Sequence, residues 1–304
     1  MSDNVLRLDK LTKVYKETKA VTDFDLNVKR GHICGLIGPN GAGKTTIMKM
    51  TAGLIHPTSG KMEFFGDSSD LKSSRRRMCF MLEAPIIEPQ MTAEENMQYI
   101  RYAKGVADEK KIAETLDFVG LGNTGKKLAA KFTLGMKQRL GIAMSLLTEP
   151  EILVLDEPVN GLDPEGIVEI RHMLKRLSDE KNVTIIISSH ILSELAELCS
   201  DFAIINHGRL IESFSASELN NKCRTHIAIK TDNINKTAAV LEDRLSVSDY
   251  TVIHGDEIHL YEYTDDIAIV SRTVTGSGLT ITKLVSEGES LEDYYLSKVG
   301  GENE

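Results

Sequence analysis

The sequence predicts an α/β fold followed by a smaller α+β part, and three observations carry that reading. The apolar run Ile33–Ile37 leads directly into Gly38-Pro39-Asn40-Gly41-Ala42-Gly43-Lys44-Thr45-Thr46. A second continuous apolar run, Ile152-Leu153-Val154-Leu155, ends in the adjacent acids Asp156 and Glu157, and a third covers residues 183–187. Continuous apolar runs of this length mark strands buried on both faces, as in a parallel sheet. Residues 221–304 instead read as strand (225–230), helix (234–245), strand (250–254), strand (257–261), helix (265–274) and strand (279–285), which is the ferredoxin-like order.

Residues 4–15 and 21–28 alternate apolar with polar side chains and are rich in β-branched residues, as half-buried antiparallel strands are. The eight residues from Gly38 to Thr45, followed by Thr46, fit the phosphate-binding pattern G-x-x-x-x-G-K-[ST]. Glycines let successive backbone N–H groups turn inward on phosphates, Lys44 can reach the β/γ oxygens, and the Thr45 hydroxyl can ligate Mg2+. A helix over residues 47–54 then aims its positive end at the same phosphates, so a nucleoside triphosphate is the expected ligand. From about residue 91 to 147 the spacing turns helical, with Thr92 and Glu95 as a capping box and Asp108 as the cap of the next helix. A helical insertion, about 85–148, thus divides the core. Asp163-Pro164 opens a helix after the second apolar run, and residues 192–199 form another after the third. Residues 201–213 read as a hairpin around His207-Gly208 and residues 215–222 as a short helix and linker, which places the domain boundary between 1–220 and 221–304.

Composition narrows the function classes. Cys34, Cys79, Cys199 and Cys223 stand singly, without C-x-x-C spacing, and His32, His56, His172, His207, His226, His254 and His259 show no metal-ligand spacing, so neither a disulfide framework nor a zinc site is expected. Met78, Met81, Met91, Met97 and Met144 read as core filling or a docking surface. No leader pattern and no membrane-length apolar run is present, which fits a cytosolic protein. Residues 221–304 carry 8 Lys+Arg against 15 Asp+Glu, and an acidic part of this kind repels phosphate backbones, so nucleic acid is not an expected partner. The one basic cluster, Arg75-Arg76-Arg77, reads as a solvated face.

A triphosphate-binding loop becomes a hydrolase only when a carboxylate holds the metal and another group orients water. Asp156 is placed for the first task and Glu157 for the second. Together with Phe132-Thr133-Leu134-Gly135-Met136-Lys137-Gln138-Arg139, Leu155-Asp156-Glu157-Pro158, Asn160-Gly161-Leu162-Asp163 and Ser189-His190, these motifs stand in the order of an ATP-binding cassette (ABC) transporter ATPase. Residues 4 to about 215 resemble that family. The resemblance implies a P-loop NTPase core with an antiparallel β subdomain and the helical insertion, binding ATP and Mg2+. It implies Tyr15 as the aromatic on adenine, Asp156 as the Mg2+ partner, Glu157 as general base, His190 at the γ-phosphate, and Asp163 in the loop that crosses to a second subunit.

The sequence departs from the family in two places. Phe132, Thr133, Leu134 and Met136 replace the Leu, Ser, first Gly and Gln of the usual signature. Thr133 keeps the hydroxyl, Gly135 the close approach, and the following helix still presents its N-terminus, so Thr133, Gly135 and Met136 are expected to bind the γ-phosphate of ATP held on a second copy of the chain. Glu83 stands where the family usually has a glutamine that contacts Mg2+ and the attacking water. Its carboxylate can ligate the metal but disfavours a nearby hydroxide, which implies slower turnover. Glu83 and the run 134–141 are similar to the bacitracin-resistance and lantibiotic-immunity branch.

The expected function is therefore the ATP-hydrolysing subunit of an ABC transporter. Two copies would close head to tail on ATP, on the inner face of the membrane, against a separate integral membrane permease, with export of a peptide antibiotic or similar amphiphile. Two other readings stand beside it. A soluble cassette ATPase acting on nucleic acid or the ribosome is weakened by the single cassette and the acidic tail. An ATP-sensing module is favoured by Glu83 and the altered signature and opposed by Asp156, Glu157 and His190. Residues 221–304 hold no catalytic constellation and suggest dimer contacts or regulation.

Overall fold

The computed structural model describes residues 3–222, 224–253, 255–288 and 291–299; Cys223 and His254 lie outside them. Two compact units make up the chain, Met1–Ala216 and Ser217–Glu304.

Along the first unit the elements are β1 (Asn4–Tyr15), β2 (Thr18–Lys29), β3 (Ile33–Ile37), α1 (Lys44–Ala52), β4 (Ser59–Phe64), α2 (Leu71–Ser74), β5 (Met78–Met81) and α3 (Ala93–Lys104). They continue with α4 (Lys110–Phe118), α5 (Leu134–Leu146), β6 (Ile152–Asp156), α6 (Pro164–Lys181), β7 (Thr184–Ser189), α7 (Leu192–Leu198), β8 (Asp201–Asn206) and β9 (Arg209–Ser215). A short helix, α8 (Ala216–Lys222), follows. The central sheet runs β5-β6-β7-β3-β8-β9 and the antiparallel sheet β2-β1-β4. Pairing is parallel from β5 through to β8, and only β9 runs antiparallel. Every residue of β3, β6 and β7 is buried, which is why these segments read as unbroken apolar runs. One apolar cluster joins Leu8, Phe24 and Phe64 of the antiparallel sheet, Ile47, Met48 and Met50 of α1, and Leu36, Val154 and Ile186 of the central sheet. The helix behind the glycine-rich loop is therefore anchored by packing and is not free to swing.

Several local expectations change. Helix α1 begins at Lys44, so Lys44, Thr45 and Thr46 are its first turn rather than a loop before it. Asp108 does not cap α4: the N-cap position is Glu109, and the Asp108 carboxylate accepts the Lys110 N–H at 3.0 Å instead. The capping box of Thr92 and Glu95 on α3 is present in both directions. Arg76 and Arg77 are exposed, as a solvated face requires, but Arg75 is partly buried and both Arg75 and Arg77 make fixed contacts. Arg75 donates to the Thr51 and Met50 carbonyls at the C-terminal end of α1, where a cation meets the negative end of the helix. Arg77 forks onto Glu151 at 2.6 and 2.8 Å. Strands β4 and β5 escape the sequence pattern because only Met62 and Phe64 of β4 alternate inward and β5 has four residues. Burial first, and Asp201 second, push the Cys34 thiol up to about 12, which leaves it unreactive. Among the described residues no helix is long and apolar enough to cross a membrane.

The second unit runs β10 (His226–Thr231), α9 (Ile234–Leu245), β11 (Tyr250–Ile253), β12 (Glu257–Leu260), α10 (Ile267–Thr275), β13 (Ile281–Glu287) and α11 (Leu291–Val299). Its sheet order, β11-β12-β10-β13 with antiparallel pairing throughout, is the ferredoxin-like arrangement. Ile227, Ile229, Leu241, Ile258, Leu260, Val270 and Val274 form its core. Helix α11 was not legible because, among the described side chains, Leu291 and Tyr294 are the buried ones, too few to make a helical stripe.

Glu151, at the entry to β6, is held down to about 2 by its hydrogen bonds to Arg77 and then Arg30, which overcome the opposing effect of partial burial. A depressed carboxylate contributes stability that is present above its ordinary 4.5 and lost as pH falls through about 2. Glu151→Gln should lower stability by about 1 kcal/mol or less at neutral pH, because the pair is partly solvent-screened. Urea unfolding of the two proteins should converge between pH 4.5 and about 2; a gap that persists at the acid end would contradict the ion-pair origin.

Candidate active site

The parallel register brings three strand ends to one edge: Ile37 of β3 lies opposite Ser189 of β7, and Asp156 of β6 lies opposite Ser188. Ligand sites of open parallel sheets form at this carboxyl edge. The loop leaving β3 is shaped by its glycines. Gly43 has φ 105°, and a Cβ there would stand 2.8 Å from the Ala20 carbonyl oxygen; at Gly38 it would stand 2.3 Å from that of Ile205. The β8–β9 turn pins the loop, since the Gly208 N–H donates to Ala42 O at 2.9 Å and Gly208 O accepts the Thr22 N–H at 2.8 Å. Pro39, Asn40 and Gly41 are exposed, while Ala42 is buried. No side chain caps the N-terminus of α1, so its first N–H groups face the loop.

Lys44 is buried, and its ammonium donates to the carbonyls of Gly38 at 2.6 Å and Pro39 at 3.3 Å. The Thr45 hydroxyl donates to Asp156 Oδ2 at 2.6 Å, and the Ser188 hydroxyl donates to Asp156 Oδ1 at 2.5 Å. Glu157 turns at φ 50°, its N–H donating to Ser188 Oγ at 2.9 Å. Its Oε2 lies 2.8 Å from His190 Nδ1, and its Oε1 lies 3.5 Å from Lys44 Nζ. That Oε1 is buried and has no hydrogen-bond partner, which leaves an acceptor free to take a proton from water. The donor set also fits Mg2+. A hydroxyl and a carboxylate oxygen stand 2.6 Å apart, both hard ligands, and Mg2+ characteristically takes one or two protein oxygens plus phosphates and water.

Lys44, Thr45, Asp156, Glu157 and His190 are thus joined in one bonded cluster. The remaining residues expected from the sequence are placed apart from it. Glu83, at φ 71° and mostly exposed, pairs with Lys49 of α1 at 3.0 Å. Tyr15 ends β1 half-exposed, with Lys13 Nζ 5.0 Å from its ring centre. Thr133 caps α5 by accepting the Met136 N–H at 3.2 Å, a bond that leaves its own O–H available to donate. A Cβ at Gly135 would meet only Leu162 and Gly166, both at 3.9 Å, so its face is open, and Lys127 Nζ stands 3.7 Å from the Met136 sulfur. Ser188 and the His207-Gly208 turn were not singled out as site residues from the sequence. The signal for Ser188 was a polar pair, Ser188-Ser189, ending an otherwise apolar strand just before His190.

A sequence profile described as ABC transporter matches residues 21–160. The chain is 40% identical over 299 residues, covering 98% of each chain, to the bacitracin transport ATP-binding protein BcrA of Bacillus licheniformis. It is 42% identical over 207 residues, 68% of this chain and 89% of the relative, to the lantibiotic transport ATP-binding protein SrtF of Streptococcus pyogenes. Among solved structures it is similar to an ATP binding subunit of an ABC transporter, with TM-score 0.63, 28% identity, and coverage of 71% of this chain and 92% of that one. It shares its fold with a dimeric ATP-binding cassette in a post-hydrolysis state bound to ADP and Pi, with TM-score 0.62, 24% identity, and coverage of 69% and 98%.

Gly43→Ala should destabilise the chain by about 1–3 kcal/mol through left-handed strain and the clash with Ala20, and weaken nucleotide binding with it. Gly41→Ala, at φ 82° with nothing within 4 Å of the added Cβ, should cost less. Thermal unfolding checks the order; equal losses would contradict the crowding argument.

Proposed function

The chain belongs to the ABC transporter family, and on that premise we propose that it powers a separate membrane permease by closing on ATP with a second copy of itself. It is an ATP-binding subunit that hydrolyses ATP. The observation that carries the residue roles is the bonded cluster of Lys44, Thr45, Asp156, Glu157 and His190 at the ends of adjacent parallel strands.

Lys44 exchanges its carbonyl contacts for β/γ-phosphate oxygens, and the N–H groups from Gly41 to Thr46 line the same phosphates. Thr45 and Asp156 are the residues that would hold Mg2+, which would supply positive charge against the phosphates. Glu157 accepts a proton from the attacking water through its free Oε1, while His190 steadies the other carboxylate oxygen and reaches the γ-phosphate. Tyr15 stacks on adenine. Thr133, Gly135 and Met136 of the second copy contact the γ-phosphate, supported by the free O–H of Thr133, the open face of Gly135 and the N-terminus of α5. Glu83, if released from Lys49, would offer a carboxylate oxygen to the metal, and its charge would slow turnover.

The helical insertion, near residues 84–95, passes the motion to the permease, with the chain on the cytoplasmic face of the membrane. By the transport named for its relatives, the cargo is a peptide antibiotic of the bacitracin or lantibiotic kind. Residues 221–304 are an accessory unit for dimer contacts or regulation. Neither a nucleic-acid-directed ATPase nor a pure ATP sensor is favoured over this reading, because Asp156, Glu157 and His190 are all joined at the site.

Two variants test these roles. Glu157→Gln should lower steady-state phosphate release by at least ~100-fold, the usual minimum for loss of a general base, and form a stable dimer with MgATP by light scattering. A monomer with unchanged turnover would remove both the base and the sandwich. Glu83→Gln should raise turnover and alter its Mg2+ dependence; identical kinetics would free Glu83 of any part in the metal shell.

A further inference from the structure

Ser188, the penultimate residue of β7, is fully buried, opposite Asp156 in the register with β6 and opposite Leu36 in the register with β3. Its hydroxyl makes two bonds of opposite sense. The O–H donates to Asp156 Oδ1 at 2.5 Å, in the short range of hydroxyl–carboxylate bonds, and the oxygen accepts the Glu157 N–H at 2.9 Å. A hydroxyl has one proton and two lone pairs, so this division uses the proton where the charge is and a lone pair where the amide is.

Each bond constrains a different acid. With Oδ1 tied to Ser188, Asp156 is fixed in the rotation that turns Oδ2 to Thr45, at 2.6 Å. Glu157 occupies the left-handed region, which a side chain with a Cβ enters only when its surroundings impose it. The Glu157 N–H bond to Ser188 anchors that turn. The turn carries the carboxylate back toward Lys44 and His190 instead of letting it continue along the strand. The neighbouring Ser189 spends its hydroxyl on the Ile191 N–H, so the two serines are not interchangeable.

Resting on the reading of this cluster as an ATPase centre, we propose that Ser188 is a positioning residue of the reaction, one hydroxyl setting the metal-holding acid and the proton-accepting acid relative to each other. Its hydroxyl is committed to Asp156 and Glu157, and it acts through them.

The test uses the full-length chain and two readouts, the gain in affinity for a fluorescent ATP analogue when EDTA is replaced by Mg2+, and the kcat and KM of ATP hydrolysis. Ser188→Ala should reduce both the Mg2+-dependent gain and kcat by roughly tenfold or more while KM changes little, as loss of a residue supporting metal ligands does. Ser188→Thr, which keeps the hydroxyl, should restore both to within about threefold. Thr184→Val, at the far end of the same strand, removes a buried hydroxyl that accepts the Gly31 N–H at 2.9 Å and serves as the structural control. It should lower the melting temperature and leave both readouts in place. The proposal is overturned if Ser188→Ala matches wild type, if Thr184→Val loses as much as Ser188→Ala, or if Ser188→Thr folds by circular dichroism yet stays as impaired as Ser188→Ala. A wild-type chain that neither binds nor hydrolyses ATP overturns the ATPase reading and the proposal with it, a result distinct from the others because there the wild type is active.

Discussion

Asp156 accepts hydroxyl protons from two sides, Thr45 at the first turn of α1 and Ser188 near the end of β7, and the site depends on that double attachment. The attachment is possible only because β6, β7 and β3 are parallel neighbours that finish level with one another. Side chains alternate across a strand, so a slip of one residue in β6 would carry Asp156 to the opposite face and leave Thr45 and Ser188 with nothing to bond. The strands that carry this register are buried on both faces and have no solvent-facing side. Sheet packing, rather than the local chemistry of the loops, thus determines where the reactive groups stand.

Among the buried side-chain polar atoms of this edge, where an unpaired group is costly, all but one are paired. The exception, Glu157 Oε1, lies 3.5 Å from Lys44 Nζ. A carboxylate held at φ 50° with one oxygen bonded to His190 and the other without a donor is a strained, incompletely satisfied group in an otherwise satisfied cluster. Groups of that kind concentrate at functional sites because reaction, not stability, completes them. The same economy is visible at Thr133, whose oxygen caps α5 while its proton stays uncommitted.

Much of this was readable in the sequence, for identifiable reasons. The central strands announced themselves because burial on both faces leaves no polar interruption, and the ferredoxin-like order of the second unit followed from strands and helices separated by turn residues. The glycine-rich loop and the paired acids are local patterns, so their chemistry could be named before any geometry was known. What stayed hidden was what tertiary structure supplies. Ser188 gains its role only through the strand beside it, Gly208 through a turn that reaches the loop across the sheet, and Arg75 through the end of a helix more than twenty residues earlier. Asp108 misled because its side chain does bond a following N–H, but one residue away from the capping position. Glu83 was legible as a departure from the family, yet its pairing with Lys49 could not be read from spacing.

The most direct test of the central claim, that strand register assembles one metal-holding acid against the phosphate loop, is electron paramagnetic resonance of Mn2+, a paramagnetic stand-in for Mg2+. Mn2+ would be titrated onto wild type and Asp156→Asn in the presence of ATP. Wild type should bind Mn2+ in an ATP-dependent manner, and Asp156→Asn should bind it roughly tenfold or more weakly while still folding. Equal ATP-dependent Mn2+ binding by both proteins would show that Asp156 does not hold the metal, and would contradict the assembly of the site described here.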